Sequence, residues 1–397
     1  MDNQSGRENL HIINNQSEYI GTYLENIRDI VPFLHNNRYV DKVEEKMDVA
    51  EKEGKSKYTY LSDLEVIYHF VHLQKDMDEK KNRKEDTKKS YVSEILSFCQ
   101  CMVQHSEEFE LNGEEVQQND SLLKTLQPWH IRKYNSWLKQ VENGRNGDIY
   151  AVATLAKKTV LIRAFLKHLH VFTYIEKPLH KELQRANVNE QDRPNRDLSY
   201  EEVMKILGFY KEQGHLVNYT ILLALASTGA RIQELCTTRV KDLHYDGKHW
   251  LKVIGKGSKV RELFISEHLY ECICEMRRRR GFQTVLDQGD ESPLLVNQRG
   301  NFYNSKTLSN QVTDMIKKTN LEFLQYRENP VTAHTFRHAF AIMAVEQGNA
   351  DLYHLMQTLG HENIQTTKIY LEKYMKRKNN VGVTFAEILG TEYTQYL

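Results

Sequence analysis

The helical rhythm of this chain is interrupted between residues 240 and 265, and that interruption most constrains its fold. Three short runs rich in β-branched and aromatic residues, 240–245, 250–254 and 260–265, are separated by turns at Asp246-Gly247 and at 255–259. Glycine and aspartate at such spacing mark tight reversals, so the segment reads as a small antiparallel meander. Elsewhere prolines are scarce (six in 397 residues) and apolar residues recur at helical spacing. The fold class expected is therefore mainly α, with one small antiparallel β-sheet in the C-terminal half.

Helical patterns can be placed from their spacing and their start signals. Tyr19, Tyr23, Leu24 and Ile27 share one face, and Ser62-Asp-Leu-Glu65 is a capping box opening an apolar run at Val66. Amphipathic patterns follow around 91–98 and 155–169, separated from the first part by a charged stretch at 75–89. The polar segment Asn-Val-Asn-Glu-Gln-Asp-Arg-Pro-Asn-Arg-Asp (187–197) reads as a linker, and Ser199-Tyr-Glu-Glu202 immediately caps a new helix. Further helices are expected to begin near Glu267, Ser305, His334, Asp351 and Asn363, with Gly348 and Gly360 as stops. The expected organisation is an acidic helical segment at 1–80, a helical domain at 81–190, and a mixed α/β domain at 191–397.

The zero net charge conceals an asymmetry. Residues 1–120 carry an excess of ten acidic groups, and residues 121–397 an equal excess of basic ones. An acidic head on a basic body is compatible with a nucleic-acid partner for the body. Five cysteines (99, 101, 236, 272 and 274) include no C-x-x-C pair, so buried free thiols in a reducing compartment are favoured over a metal site. No run reaches the apolar length of a membrane span. A cytoplasmic protein is the expectation.

The chemistry is carried by short fragments. Ser-Thr-Gly-Ala-Arg-Ile-Gln-Glu-Leu-Cys (227–236) ends an apolar run and sets Arg231 and Glu234 one helical turn apart. Such a pair is either an ordinary surface contact or an arginine held rigid to grip something else. Thr-Ala-His-Thr-Phe-Arg-His (332–338) puts His334 and Arg337 on one helical face. Leu-Gly-His (359–361) follows, with Tyr370 nine residues after His361, and Gly-Lys-Gly-Ser-Lys (255–259) forms the tip of the second hairpin.

Taken singly these fragments are weak, since a histidine after a helix-ending glycine is commonly a cap. Their order together resembles the tyrosine recombinase (phage integrase, Xer-like) family. The matching pattern is arginine in T-G-x-R-x-x-E-L, lysine on a β-hairpin, H-x-x-R-H, L-G-H, and tyrosine nine residues on. The likeness spans residues 228–370, extends to the middle helices in general character only, and does not reach 1–80.

The resemblance implies a helical core-binding domain and a catalytic domain that clamp duplex DNA and cut it through a 3′-phosphotyrosine intermediate and a Holliday junction. Arg231 and Arg337 would hold the non-bridging phosphate oxygens, where two planar cations suit developing charge. Glu234 would orient Arg231, and His338 would support the site. His334 and His361 would complete the phosphate contacts, with His334 a possible acceptor of the Tyr370 proton. Lys256 would protonate the leaving 5′-oxygen, with Lys259 close by as a rival. Tyr374 is a rival nucleophile that lacks the family spacing. No metal or other cofactor is implied.

The partners implied are double-stranded DNA and three further copies of the chain, as a homotetramer on two duplexes. An accessory protein is a possible partner for the acidic N-terminal segment. Lys157, Lys158, Arg163 and Lys167 form the polar face of the 155–169 helix, which suits either solvent or DNA phosphates. The four arginines at 277–280 are open to the same two readings. Phe385, Ile388 and Leu389 line one face of a short C-terminal helix, which the resemblance implies is passed to a neighbouring protomer. Two other readings are a type IB topoisomerase-like nicking-closing enzyme and a catalytically silent DNA-binding regulator.

Overall fold

The computed structural model describes residues 27–74, 76–142, 147–189, 197–255, 259–283, 286–361, 363–365, 367–368, 371, 381–382 and 385–386. The chain divides into two compact units, Met1–Arg193 and Pro194–Leu397.

The described part of the N-terminal unit is helical. Its main helices are α1 (Ile27–Leu34), α2 (Val40–Lys52), α3 (Asp63–His72) and α4 (Glu85–Gln104). Short helices α5 (Ser106–Phe109), α6 (Gly113–Gln118) and α7 (Leu122–Thr125) then lead to α8 (Pro128–Gln140) and α9 (Val152–Val171). Val92, Ile95, Leu96, Cys99 and Met102 of α4 lie at three- and four-residue spacing and are buried. They join Ile162, Phe165, Leu166 and Leu169 of α9 in one core. Ile30, Leu34, Val43, Ile67 and Val71 belong to that same core. The described part of 1–80 thus shares its packing with 81–190, and no core boundary falls at residue 80. Most acidic residues of the described part of 1–80 are exposed or half-buried, whereas Asp63 and Glu65 are buried.

The start of α3 shows how this unit settles a buried charge. The Ser62 hydroxyl accepts from the Glu65 N–H, and the Ser62 N–H donates to the Glu65 carboxylate at 2.8 Å, completing the expected capping box. The next residue, Asp63, is fully enclosed. Its carboxylate accepts from the hydroxyls of Ser121 (2.6 Å) and Tyr174 (2.8 Å) and from the N–H groups of Leu122 (2.8 Å) and Leu123 (3.2 Å). One side chain therefore caps the start of α7 and ties it to α3 and to the segment after α9. Burial pushes its carboxyl pKa upward, and these four bonds oppose the shift.

The C-terminal unit opens with α10 (Tyr200–Glu212), capped by reciprocal Ser199 and Glu202 bonds, then α11 (Leu216–Thr228) and α12 (Ile232–Thr237). The sheet follows as β1 (Leu243–Tyr245), β2 (His249–Ile254) and β3 (Val260–Ile265), in that spatial order and antiparallel throughout. Leu251, Val253, Leu263 and Ile265 point into the core while Ile254 and Phe264 face outward, the alternation a half-buried sheet requires. The first strand is shorter than expected. Val240–Asp242 is instead a 3-10 turn, because the Arg239 N–H donates to Asp242 while Val240 and Lys241 donate to the carbonyls of Ser292 and Asp290.

Helices α13 (Glu267–Arg278), α14 (Ser305–Lys318), α15 (Glu322–Gln325), α16 (Ala333–Glu346) and α17 (Leu352–Leu359) complete the described elements. Gly360 ends α17 in the left-handed conformation at φ 65°, as expected. Gly348 does not play that part after α16, where Asn349 takes the left-handed position at φ 47°. Gly348 is required by space instead, since a Cβ there would stand 2.7 Å from the Ala344 carbonyl oxygen. Among the described residues no helix is long and apolar enough to cross a membrane.

Candidate active site

The site is built where three chain reversals of the C-terminal unit meet. The first follows α11. Gly229 leaves the helix at φ 60°, which points the chain into α12 with Arg231 at its N-terminal boundary. A Cβ on Gly229 would stand 2.4 Å from the Phe340 ring, so glycine is demanded by both the backbone and its neighbour. The Arg231 N–H donates to Glu234 Oε2 at 2.7 Å, and its Nη1 donates to Glu234 Oε1 at 3.0 Å. Glu234 is 3% exposed and Arg231 34%, so a buried carboxylate holds an arginine that still reaches solvent.

The second reversal is the β2–β3 hairpin. Its base is closed by the Gly255 N–H donating to the Lys259 carbonyl at 2.7 Å, and Lys259 itself is exposed. Lys256 lies outside the described residues. Two positions beyond Lys259 stands a residue that the motifs do not single out. Arg261 of β3 donates from Nη1 and Nη2 to the two oxygens of Glu234, at 2.6 and 2.7 Å. Burial would raise the Glu234 carboxyl, but this fork, with the Arg231 bonds, holds it below its ordinary value. The one sequence signal for Arg261 was its two-residue spacing from Leu263 and Ile265, which sets a charge on the inward face of β3 but does not name its partner.

The third reversal is the turn after α17. Arg337 of α16 is 1% exposed. It donates from Nη1 to the Gly229 carbonyl at 2.6 Å and from Nη2 to the Leu359 carbonyl at 2.5 Å. One guanidinium so joins the turn before Arg231 to the turn before His361. Its Nη2 also lies 3.0 Å from His361 Nε2, and His361 Nδ1 lies 2.9 Å from the Thr367 hydroxyl. Because a guanidinium only donates, Nε2 accepts, which leaves Nδ1 as the protonated nitrogen facing Thr367. Burial first, and then the positive fields of Arg337, Arg231, Arg261 and His334, lower the His361 pKa to about 4. The imidazole is neutral at ordinary pH.

The structure therefore forms two hydrogen-bonded groups, Arg231–Glu234–Arg261 and Arg337–His361, and the Arg261 guanidinium lies against Gly360, directly before His361. His334 is exposed on the first turn of α16 and contributes to the field at His361. His338 is mostly buried, with Nδ1 3.9 Å from the Asp197 carboxylate. Tyr370 and Tyr374 lie outside the described residues, as do Ile388 and Leu389 of the tail, whereas Phe385 is described and 59% exposed.

The expected DNA-facing cations divide. Lys158 Nζ lies 2.6 Å from the Glu94 carboxylate, and Arg163 donates to the Leu183 carbonyl at 2.6 Å. Both are held within the N-terminal unit because α9 turns that side of its polar stripe toward its neighbours. Lys157 and Lys167 are exposed. In the run at 277–280, Arg277 is buried on the carbonyls of Gln283 and Pro293, while Arg278 and Arg279 pair with Glu275.

The model of the phage integrase family matches residues 196–377, the span that contains all three reversals. The tyrosine recombinase XerC of Corynebacterium glutamicum is 30% identical over 239 residues, covering 57% of this chain and 69% of that protein. The chain belongs to the phage integrase family. As a tyrosine recombinase it is an enzyme of site-specific DNA recombination, and these relatives favour neither the topoisomerase nor the silent-regulator reading. The XerC of Caldanaerobacter subterraneus subsp. tengcongensis is 27% identical, over 73% of this chain and 78% of that one. Lambda integrase shares the fold. Its dimer bound to a COC′ core site matches at TM-score 0.55 and 16% identity, covering 78% of this chain and 77% of that one. Its tetramer bound to a Holliday junction matches at TM-score 0.51 and 18% identity, covering 71% and 73%.

Proposed function

We propose that this recombinase breaks and rejoins DNA with Tyr370 as nucleophile and the Arg231–Arg337–His361 group as the phosphate cradle. The Tyr370 oxygen attacks the scissile phosphorus and the bond to the 5′-oxygen breaks, leaving a 3′-phosphotyrosine. The tyrosine proton passes to His334, and Lys256 supplies a proton to the departing oxygen. The phosphotyrosine retains the energy of the broken ester, so religation needs no outside source. Charge grows on the non-bridging oxygens in the transition state, and fixed cations placed there lower the barrier. The observation that carries this reading is the buried Arg337 guanidinium, which bonds the carbonyls of Gly229 and Leu359 and meets His361 Nε2 at 3.0 Å, tying the turn before Arg231 to the turn before His361.

Arg231 is the more accessible of the two arginines and makes the first contact with phosphate. Arg337 acts from beneath, fixing the carbonyls of Gly229 and Leu359 and with them the two turns. Neutral His361 offers its Nδ1 hydrogen, now facing Thr367, to a phosphate oxygen once substrate is present.

The working assembly in this reading is four protomers on two duplexes, by likeness of fold to the lambda integrase tetramer. The helical N-terminal unit and the catalytic unit grip DNA, with Lys157 and Lys167 on phosphates, inside the bacterial cytoplasm at the nucleoid. Phe385, Ile388 and Leu389 dock on the next protomer, and the acidic surface of 1–80 is left to an accessory protein. The test is adduct formation on a nicked suicide duplex carrying a sequence that the full chain selects from a random pool. Tyr370→Phe should bind that duplex and form no adduct, while Tyr374→Phe should still form one. An adduct mapped by peptide mass to Tyr374 would overturn the assignment.

A further inference from the structure

Arg261 stands outside the catalytic motifs, yet it is the side chain on which the motifs converge. It is 11% exposed and forks both oxygens of Glu234. Arg231 shares that carboxylate through a single side-chain bond, the longest of the four made to Glu234 by the two arginines. The Arg261 guanidinium also lies against two glycines. Its Nη1 would stand 3.3 Å from a Cβ on Gly255 and 3.1 Å from a Cβ on Gly360. Gly255 is the base of the hairpin that carries Lys256, and Gly360 directly precedes His361.

We propose that Arg261 is a positioning residue that takes up the Glu234 charge, leaving Arg231 a net cation for the scissile phosphate. The inference rests on the phosphate-holding part assigned to Arg231 above. A carboxylate with one guanidinium is a neutral pair, whereas a carboxylate with two keeps a net positive charge. Its fork on Arg261 also settles which arginine is bound rigidly and which can turn outward. The contacts at Gly255 and Gly360 make the same guanidinium the common reference for the lysine hairpin and the histidine turn. A merely structural ion pair would share the burial and the distances, but it would not make the rate depend on the sign of the charge left behind.

The experiment compares adduct rates, per folded molecule, on the selected suicide duplex and on the same duplex with a neutral methylphosphonate at the scissile position. Arg261→Gln leaves Glu234 to pair with Arg231 alone. It should slow cleavage of the phosphodiester roughly 100-fold, the size seen when one oxyanion donor is lost. The methylphosphonate needs one cation fewer, so the preference for phosphodiester should narrow by about tenfold. Glu234→Gln/Arg261→Gln removes both charges and should cleave about tenfold faster than Arg261→Gln, a coupling that independent structural damage does not produce. A double variant no faster than Arg261→Gln would overturn the proposal.

If Arg261→Gln does not fold, the double variant decides alone. Its phosphodiester preference should stay within about threefold of the wild type, since Arg231 is again an unpaired cation. A collapsed preference would mean that Arg261 itself meets the phosphate, and would overturn the proposal. Arg231→Ala on the same duplexes separates the two readings. Wild-type cleavage by Arg231→Ala would remove the phosphate role of Arg231. Loss of cleavage there, with unchanged rate and preference in Arg261→Gln, would remove only the role of Arg261.

Discussion

Two buried carboxylates, Asp63 in the N-terminal unit and Glu234 in the C-terminal unit, are held in opposite ways. In the N-terminal unit the enclosed carboxylate of Asp63 is met by four neutral donors, two hydroxyls and two backbone N–H groups. In the C-terminal unit one carboxylate, Glu234, is met by two arginines, and a third, Arg337, is enclosed against carbonyl oxygens. The first arrangement is closed: each group satisfies another, and what results is rigidity. The second is left with surplus positive charge at a place where Arg231 still reaches solvent. A chain can enclose such a surplus only where packing holds it, and it serves where an anion will arrive.

The sharpest way to break this comparison is Arg337→Met. Each of its two bonds to carbonyls is worth about 1.5–3 kcal/mol as a hydrogen bond from a charged group. The C-terminal unit should lose on the order of 3 kcal/mol or more in denaturant unfolding, and the adduct should vanish. Unchanged stability of that unit would mean that its enclosed arginine is not structural.

Gly229→Ala should come next. Holding a non-glycine residue left-handed costs about 1–2 kcal/mol, and pressing a methyl group into the Phe340 ring adds about 1–3. Both penalties fall on the turn that carries Arg231, so adduct formation should slow with stability. Adding Phe340→Ala should return the second penalty but not the first. Full recovery in the pair would show that the backbone conformation costs nothing there.

Asp63→Ala is the matching test of the closed network, with an expected loss of about 1–3 kcal/mol confined to the N-terminal unit. Adduct formation per folded molecule should be unchanged. If cleavage chemistry fell in step with stability, the contrast between the units would fail.

Acid should act on both units in the same window. His69 in the N-terminal unit, by burial first, and His361 in the C-terminal unit are each lowered from 6.5 to about 4. A histidine so depressed takes its proton more readily in the unfolded chain. Its effect is absent above about 6.5, and stability falls as pH drops from there toward about 4. Thermal midpoints measured across that range should fall less in His69→Gln and in His361→Gln, and only the latter should change the adduct rate.

The smallest effects concern α9. Lys157→Ala and Lys167→Ala should each weaken DNA binding and reduce the salt slope by about 1, read from binding isotherms at several salt concentrations. Lys158→Ala should leave that slope unchanged, because its charge is engaged by Glu94. A shallower slope in Lys158→Ala would return this lysine to the DNA-facing set.

Much of the molecule is legible in order along the chain. Capping boxes at Ser62 and Ser199, the hairpin turns and the stop at Gly360 are patterns within about ten residues, set by backbone geometry and local hydrogen bonds. The resemblance that led to Arg231, Arg337 and His361 is also a matter of short spacings, and so it survives in a bare sequence. What only the tertiary structure decided involves partners far apart. Arg261 meets Glu234 across 27 positions, Arg337 meets the Gly229 carbonyl across 108, and Tyr174 meets Asp63 across 111. No local period records such meetings, because a charge on a strand or helix reads the same whichever distant group it meets. The sequence by itself offered Arg231, Glu234, Arg337 and His361 as groups of one site, without Arg261. The packing of three turns against one another decided which of them are bound to each other and which remains to meet an anion, since burial and pairing are properties of the enclosing surface.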